Sequence, residues 1–334
     1  MELSLIICTY QRPVALRNLL ESVKSQTRYP GEILIIDGSL DDKTKDLLLE
    51  KNYHKLKYYK VQKEDSGLTR QRNFGISKIS ENSQLVGFLD DDTILHPDYF
   101  LEIFKSFGLH PEVLAVSGYI TNEVEWRKVS QDDSPSKGDF IYDGWTRTEG
   151  SRFGLRRKFG LAPDTPPGIM PDFSHGYSTG FLPPSGKVYE VELLMGGIST
   201  YKTKIFKEVQ FSRYFEGYGL YEDADFSLRI SKMGKLLVNT NARVEHHHAN
   251  EGRPNMFKYG KMVIRNGWYV WRIKNQNPTL KAIFKWHATS LLLTLVRLSN
   301  VVNKNERKKA LSEGAGRIFG WISLWTNSPV PKIR

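Results

Sequence analysis

Short apolar runs alternate with amphipathic stretches through the amino-terminal part of the chain, and that alternation leaves few folds open. Leu3–Cys8 reads as a buried strand and Val14–Gln26 as a helix with Pro13 near its start. Glu32–Asp37 reads as a second strand, Asp41–Asn52 as a helix, and Lys57–Val61 as a third strand. Thr69–Ile79 reads as a helix and Leu85–Leu89 as a fourth strand. Strand and helix in turn predict an α/β fold, with a mainly parallel sheet covered by helices. In such sheets ligands bind outside the carboxyl ends of the strands. Three polar clusters fall at those ends: Thr9-Tyr10-Gln11-Arg12, Asp37-Gly38-Ser39 and Asp90-Asp91-Asp92. Three clusters at one sheet edge say more than any one alone.

The character changes from Trp126 to Val188, a stretch rich in Gly, Pro, Ser and charge, which predicts long loops or an insertion. Regular patterning returns near Val188. Tyr221–Met233 reads as a helix and Leu236–Val244 as a strand. From about Trp268 the chain is basic and aromatic, with Trp268, Tyr269, Trp271, Trp286, Trp321 and Trp325 in helix-like segments. That pattern predicts helices lying on an anionic bilayer, with rings at the headgroup level.

Charge divides the chain in the same way. Of 48 Lys/Arg and 37 Asp/Glu, residues 257–334 hold 15 and 2, a net of +13. The first 256 residues carry the remaining 33 and 35, a net of −2. A near-neutral body with a basic tail is not a uniformly basic nucleic-acid coat, so no nucleic-acid partner is expected. Hydrophobic residues make up 40% and charged residues 25%, which excludes wholesale disorder. The lone Cys8 excludes a disulfide framework and a cysteine zinc site, and suits a reducing compartment such as the cytoplasm. The first residues, with Glu2 and no basic start or small-residue cleavage site, are not expected to act as a signal peptide. The apolar run Ala288–Val302 is broken by Arg297, so no transmembrane helix is expected.

Several side chains could carry chemistry. Asp90-Asp91-Asp92 follows the apolar run Leu85–Leu89, and adjacent carboxylates at a buried strand end repel unless a divalent cation joins them. A solvated acidic turn explains them equally simply. Glu222-Asp223-Ala224-Asp225 opens a helix, where acids favour the dipole; a carboxylate at a cleft could also take a proton from a hydroxyl. His246-His247-His248 follows a strand, so His246 and His248 share a face, as metal ligands or as part of a polar loop. Asp37 could accept from a base or ribose, or form an Asp-Gly turn. Arg70 and Arg72 could sit near a diphosphate or on a solvated helix face. Gly196 and Gly197 precede a strand-like run and permit close backbone approach or a turn. No Gly-x-Gly-x-x-Gly follows the first strand, so the usual dinucleotide site is unsupported, and no phosphate-binding loop ending Gly-Lys-Ser/Thr occurs.

In this order the motifs resemble a family 2 glycosyltransferase of the GT-A fold. Ile6–Pro13 is similar to the opening strand and "TYNRP" turn, with Gln11 for the usual Asn. Ile36-Asp37-Gly38-Ser39 resembles "DDGS", with Ile36 for the first Asp, and Arg70–Gly75 resembles "ARNxG". Phe88–Thr93 resembles the DxD segment, and Met195–Gly197 with Tyr201-Lys202 resembles "GGxxxxxR". Tyr218–Arg229 resembles "YGxxEDxDLxxR", and Val244-Glu245-His246 the late "VxH" element. Seven loose motifs in order, across about residues 3–250, are specific together.

The resemblance implies a GT-A type, Rossmann-like mixed sheet flanked by helices, with a carboxyl-terminal helical, basic, membrane-associating region. It implies a catalytic domain over 1–256, made of a nucleotide-sugar half (1–118), a loop-rich insertion (119–190) and an acceptor half (191–256), followed by 257–334. It implies inverting transfer from a nucleotide-diphospho-sugar, a UDP-sugar by family frequency, to a glycan or lipid-linked acceptor in surface polysaccharide synthesis. Thr9, Tyr10, Arg12, Asp37, Arg70, Asp90 and Asp91 would contact the donor. Asp92, with Asp90, His246 and His248, would hold Mg²⁺ or Mn²⁺. Asp223 would deprotonate the acceptor, while Glu222, Gly196 and Gly197 would place it. Ile36 removes one carboxylate from the nucleotide side, and the surplus length within Trp126–Val188 would shape the acceptor site. Work on a lipid-linked glycan implies a peripheral place at the inner face of the plasma membrane. The competing readings are a sugar- or nucleotide-binding protein without catalysis and a sugar nucleotidyltransferase; the latter needs a glycine-rich phosphate loop that Thr9–Pro13 does not provide.

Overall fold

The computed structural model describes residues 1–130, 138–248 and 255–331. Its elements follow in chain order. Strand β1 (Leu3–Thr9) leads to α1 (Pro13–Lys24), β2 (Glu32–Asp37), α2 (Lys43–Leu49), β3 (Leu56–Lys60), α3 (Leu68–Ile76) and β4 (Leu85–Asp90). Then come β5 (Thr93–Leu95), α4 (Tyr99–Leu109) and β6 (Ala115–Ile120). The loop-rich stretch holds β7 (Arg127–Lys128), β8 (Asp139–Tyr142), β9 (Trp145–Thr148) and α5 (Ser151–Lys158). Strands β10 (Val188–Val191) and β11 (Ile198–Lys202), helix α6 (Glu222–Ile230) and strand β12 (Leu236–His246) follow. Helices α7 (Met256–Lys274), α8 (Leu280–Ser299) and α9 (Arg307–Thr326) close the chain.

The chain divides into two compact units, Met1–Glu125 with Pro184–Arg253, and Trp126–Pro183 with Pro254–Ile333. In the first, the strands lie in the order β10-β12-β6-β11-β4-β1-β2-β3, with β5 paired to β12. Strands β3, β2, β1 and β4 are parallel, as the alternation predicts. Beyond β4 the sheet is mixed: β11 runs antiparallel to both β4 and β6, while β12 runs parallel to β6. The mainly parallel reading therefore holds for one half only, because a strand's direction follows from how the chain returns to the sheet and not from its own residues. Strand β2 is buried along its whole length, as a central parallel strand should be. Pro13 opens α1, where its missing N–H costs no hydrogen bond, and Leu16, Leu19, Leu20 and Val23 face the core. The core joins these to Leu5 and Ile7 of β1 and Ile103 and Phe107 of α4.

In the second unit, β7, β9 and β8 form an antiparallel sheet where the sequence predicts loops. The missed signal is Asp143-Gly144 between β8 and β9: both have positive φ (50° and 76°), as a tight hairpin turn requires. Phe140, Phe153, Tyr177 and Phe181 pack as a small apolar cluster. The three carboxyl-terminal helices form as expected, but the aromatic reading needs correction. Tyr269, Trp271 and Trp286 are buried, so they are packing residues and do not line headgroups. Trp271 donates its indole N–H to the Asp172 carbonyl at 2.9 Å. Trp268 stands edge-on to Trp286, ring centroids 4.8 Å apart. Among the described residues no helix is long and apolar enough to cross a membrane.

Candidate active site

The site is built at the carboxyl ends of β1, β2 and β4, all within the first unit. Gln71, buried on α3, ties two of them: its Nε2 donates to the Thr9 carbonyl at 3.1 Å and the Ile36 carbonyl at 2.7 Å. Asp37 is fully buried. One of its oxygens accepts from the Ser39 N–H at 2.8 Å and the other from the Tyr58 hydroxyl at 2.8 Å. Thr9 donates to Asp91 Oδ2 at 2.7 Å, and Arg12 reaches Asp91 Oδ1 at 3.2 Å and Asp92 Oδ2 at 3.4 Å. Thr9, Arg12 and Asp91 thus bind one another and fix the turn after β1 against the end of β4. Burial pushes the Asp91 carboxyl up to about 6 despite Thr9 and Arg12, which favour its charge. Tyr10 is exposed on that turn.

The antiparallel pairing of β12 with β5 sets His246 opposite Thr93 and so beside Asp92. His246 Nε2 lies 3.2 Å from Asp92 Oδ1, and its Nδ1 lies 3.0 Å from Glu123 Oε1. The same Glu123 oxygen lies 3.0 Å from His248 Nε2. The His246 and His248 ring centroids are 4.0 Å apart, while His247 turns to Glu245, as alternation along an extended chain requires. Burial alone would lower the His246 pKa; the hydrogen bonds to Asp92 and Glu123 outweigh it and hold the imidazolium up to about 10. Asp90, Asp92 and His246 offer one ligand atom each, all within 4.8 Å of one another, and Glu123, His246 and His248 form a second such group. Two carboxylates and an imidazole are a donor set that suits Mg²⁺ or, better with the nitrogen, Mn²⁺.

On the other side of Asp90 lies a buried floor. Arg72 is buried, pairs with Glu222 Oε1, and places its second nitrogen 3.5 Å from Asp90 Oδ1. Its guanidinium rests on Phe211, 5.2 Å from the ring centroid. Neighbouring carboxylates raise its pKa against the opposing effect of burial. Glu222 opens α6, and its Oε2 is buried with no hydrogen-bond partner among the described residues. Burial pushes this carboxyl up to about 8, more than Arg72 pulls it down. Asp223, beside it and partly exposed, is also raised by burial. Its Oδ1 accepts from the Ala224 N–H at 2.8 Å. Gly196 and Gly197 pass against this floor. A Cβ on Gly197 would sit 2.1 Å from Asp90 Oδ2, and one on Gly196 would sit 2.8 Å from an Arg72 nitrogen, so a side chain at either position would displace these groups. The Cys8 thiol is pushed up to about 12 by burial and is no nucleophile.

The structure brings Asp90, Asp92, His246, Glu222 and Asp223 around one strand edge, with His248 at its rim. Arg70 pairs with Glu216 and donates to the Glu64 carbonyl. Three residues outside the expected set matter. Arg72, read as a cation near a diphosphate or as a solvated helix-face residue, is buried between Glu222 and Asp90; Gln71 is the strand clamp. Glu123 had no signal in sequence, since only the parallel pairing of β6 with β12 brings it to His246.

Residues 4–178 match the family model described as glycosyl transferase family 2. The minor teichoic acid biosynthesis protein GgaA of Bacillus subtilis is 33% identical over 130 residues, 36% of this chain and 29% of that protein. The GalNAc(5)-diNAcBac-PP-undecaprenol beta-1,3-glucosyltransferase of Campylobacter jejuni is 26% identical over 153 residues, 42% of this chain and 47% of that one. The matched stretches thus span less than half the length of these relatives. Among solved structures, the mannosyltransferase PcManGT of Pyrobaculum calidifontis in complex with GDP-Man and Mn²⁺ superposes with a TM-score of 0.55 at 12% identity, covering 98% of this chain and 88% of that one. GalNAc-T7 with UDP, GalNAc and Mn²⁺ gives 0.53 at 16%, covering 99% and 58%. These likenesses show the GT-A fold.

Proposed function

Because the chain belongs to glycosyl transferase family 2, we propose that it transfers a sugar, with inversion, from a nucleotide-diphospho-sugar to a hydroxyl of a glycan or lipid-linked acceptor in surface polysaccharide synthesis. The observation that carries this reading is the pairing of two unlike carboxylate groups at one strand edge. Asp90 and Asp92 stand with His246, while Asp223 and Glu222 stand over the buried Arg72. The relatives named for teichoic acid biosynthesis and for an undecaprenol-linked glucosyl transfer support the acceptor class, and the solved neighbours holding UDP or GDP-Man with Mn²⁺ support the donor class.

In this reading Asp90, Asp92 and His246 would hold Mg²⁺ or Mn²⁺, which when bound supplies Lewis-acid stabilisation to the departing nucleoside diphosphate. Asp223 accepts the acceptor hydroxyl's proton as that oxygen forms its bond to the anomeric carbon and the bond to the diphosphate oxygen breaks. Burial raises the basicity of Asp223, which helps it in this role. Glu222, held by Arg72, shapes the acceptor side, and Gly196 and Gly197 let the backbone close on it. Thr9, Arg12 and Asp91 act by holding the turn that carries Tyr10 toward the donor. Asp37, fully buried, acts through the Ser39 N–H and the Tyr58 hydroxyl that it accepts from.

The test is calorimetric titration with UDP, GDP and dTDP in Mn²⁺, repeated in EDTA. Heat with one nucleotide that vanishes in EDTA supports the reading and narrows the donor, with UDP expected. No heat with any of them in Mn²⁺ overturns it and reduces Asp90, Asp92 and Asp223 to structural acids.

A further inference from the structure

Helices α8 and α9 carry an apolar face that the second unit leaves uncovered. On α8, Leu280, Phe284, Leu291 and Leu295 recur at spacings that hold them to one side of the helix. On α9, Ile318, Ile322 and Trp325 do the same. All seven side chains are between 44 and 85% exposed. The two helices pair antiparallel: Arg297 Nε meets Glu313 Oε2 at 2.7 Å toward one end, and the Trp321 indole donates to His287 at 3.0 Å toward the other. In each helix the apolar stripe lies about a quarter turn from the residues that face the other helix, and in an antiparallel pair these quarter turns open to the same side. The stripes therefore make one continuous surface.

Its frame is basic. Lys281, exposed, flanks the stripe on α8. Lys304, Arg307 and Lys308 cluster at the connection between the helices, where Val302 is also exposed. The acids of this region, Glu306 and Glu313, are both engaged by Arg297. An apolar face framed by basic residues is complementary to a surface that is apolar beneath and anionic at its rim. A second copy of the chain does not fit, because it would set the two basic frames against each other. Nucleic acid would use the cations and leave the apolar stripe unexplained.

We propose that the α8–α9 face lies on an anionic lipid bilayer, with its leucines, isoleucines and Trp325 at the acyl boundary and the lysines among the phosphates. No sugar-transfer chemistry is assumed, so this proposal and the proposed function stand or fall separately. Sedimentation of the full chain with phosphatidylcholine vesicles, with and without phosphatidylglycerol, tests it. Binding is expected only to the anionic vesicles and is expected to weaken with salt. The pair Leu291→Glu and Ile322→Glu, and separately the pair Lys304→Glu and Lys308→Glu, should each lower it about tenfold or more. Should a variant fold poorly, brominated lipid decides with native positions: it should quench the tryptophan fluorescence of the unaltered chain, and Trp325→Phe should remove the largest share of that quenching. Absence of binding to anionic vesicles, binding indifferent to both pairs, quenching indifferent to Trp325, or a stable dimer that Leu291→Glu with Ile322→Glu dissolves would each overturn it.

Discussion

Two groups of carboxylates flank Arg72 and Asp90, and their surroundings assign them different chemistry. On one side Asp92 faces His246, which Glu123 holds from behind, near the solvent-exposed His248. Here Asp90, Asp92 and His246 bring one ligand atom each to within 4.8 Å of one another. On the other side Glu222 and Asp223 sit over a buried guanidinium, with their pKa values raised by burial. Here the acids favour holding a proton. In the proposed reading, like residues would serve as ion ligands or as proton acceptors according to what faces them. Chain order alone would have grouped them simply as acids.

The comparison predicts that each group fails in its own way. The largest effect is expected from Asp92→Ala, which removes an ion donor and the partner of His246 Nε2: Mn²⁺-dependent nucleotide binding should disappear in calorimetry. If it persists, the ion is held elsewhere and the two groups are not distinct. Asp223→Asn should leave donor affinity nearly unchanged and cut turnover by about 10²–10⁴. Transfer at a near-normal rate in that variant would reject Asp223 as the base.

A smaller effect is expected behind the histidine. Glu123→Gln keeps the shape but weakens the orientation of His246 Nδ1, so Mn²⁺ affinity, measured by the free-ion resonance signal, should fall about 10–100-fold. An unchanged affinity would make Glu123 a surface acid. The smallest effect concerns stability. Glu222 holds its proton more tightly folded than unfolded, with a pKa of about 8 against an ordinary 4.5. Its contribution is therefore fully present below about pH 4.5 and lost as pH rises through about 8. Glu222→Gln should flatten that part of the melting-temperature profile; a profile as steep as that of the unaltered chain would show that the group is not buried in solution.

Much of this was legible early, and the reasons are local. Strands β1, β2 and β4 announce themselves because a strand buried on both faces must be continuously apolar. The acids Asp90–Asp92 and His246 stood out because they end such runs, and Asp223 because it lies in an acidic cluster that opens a helix. The pairing of His246 with His248 followed from alternation along an extended chain. Other features depended on what lies across the fold. Arg70 and Arg72 are two residues apart on one helix, and nothing in their spacing tells which one is buried against Glu222, 150 positions away. Trp271 and Trp286 looked like interfacial rings, yet they pack against each other's surroundings because the helices fold back on themselves.

The sequence by itself determined the class of the fold, the edge of the sheet that carries the site, and the residue types available there. Periodicity and turn chemistry act over a few residues and can be read without knowing neighbours. The tertiary structure decided the rest: the reversed direction of β11, the burial of Arg72 against Glu222, and the approach of Glu123 to His246. Those outcomes depend on burial and on charges brought together across more than a hundred residues, and desolvation is a property of the assembled fold that no single stretch of chain carries.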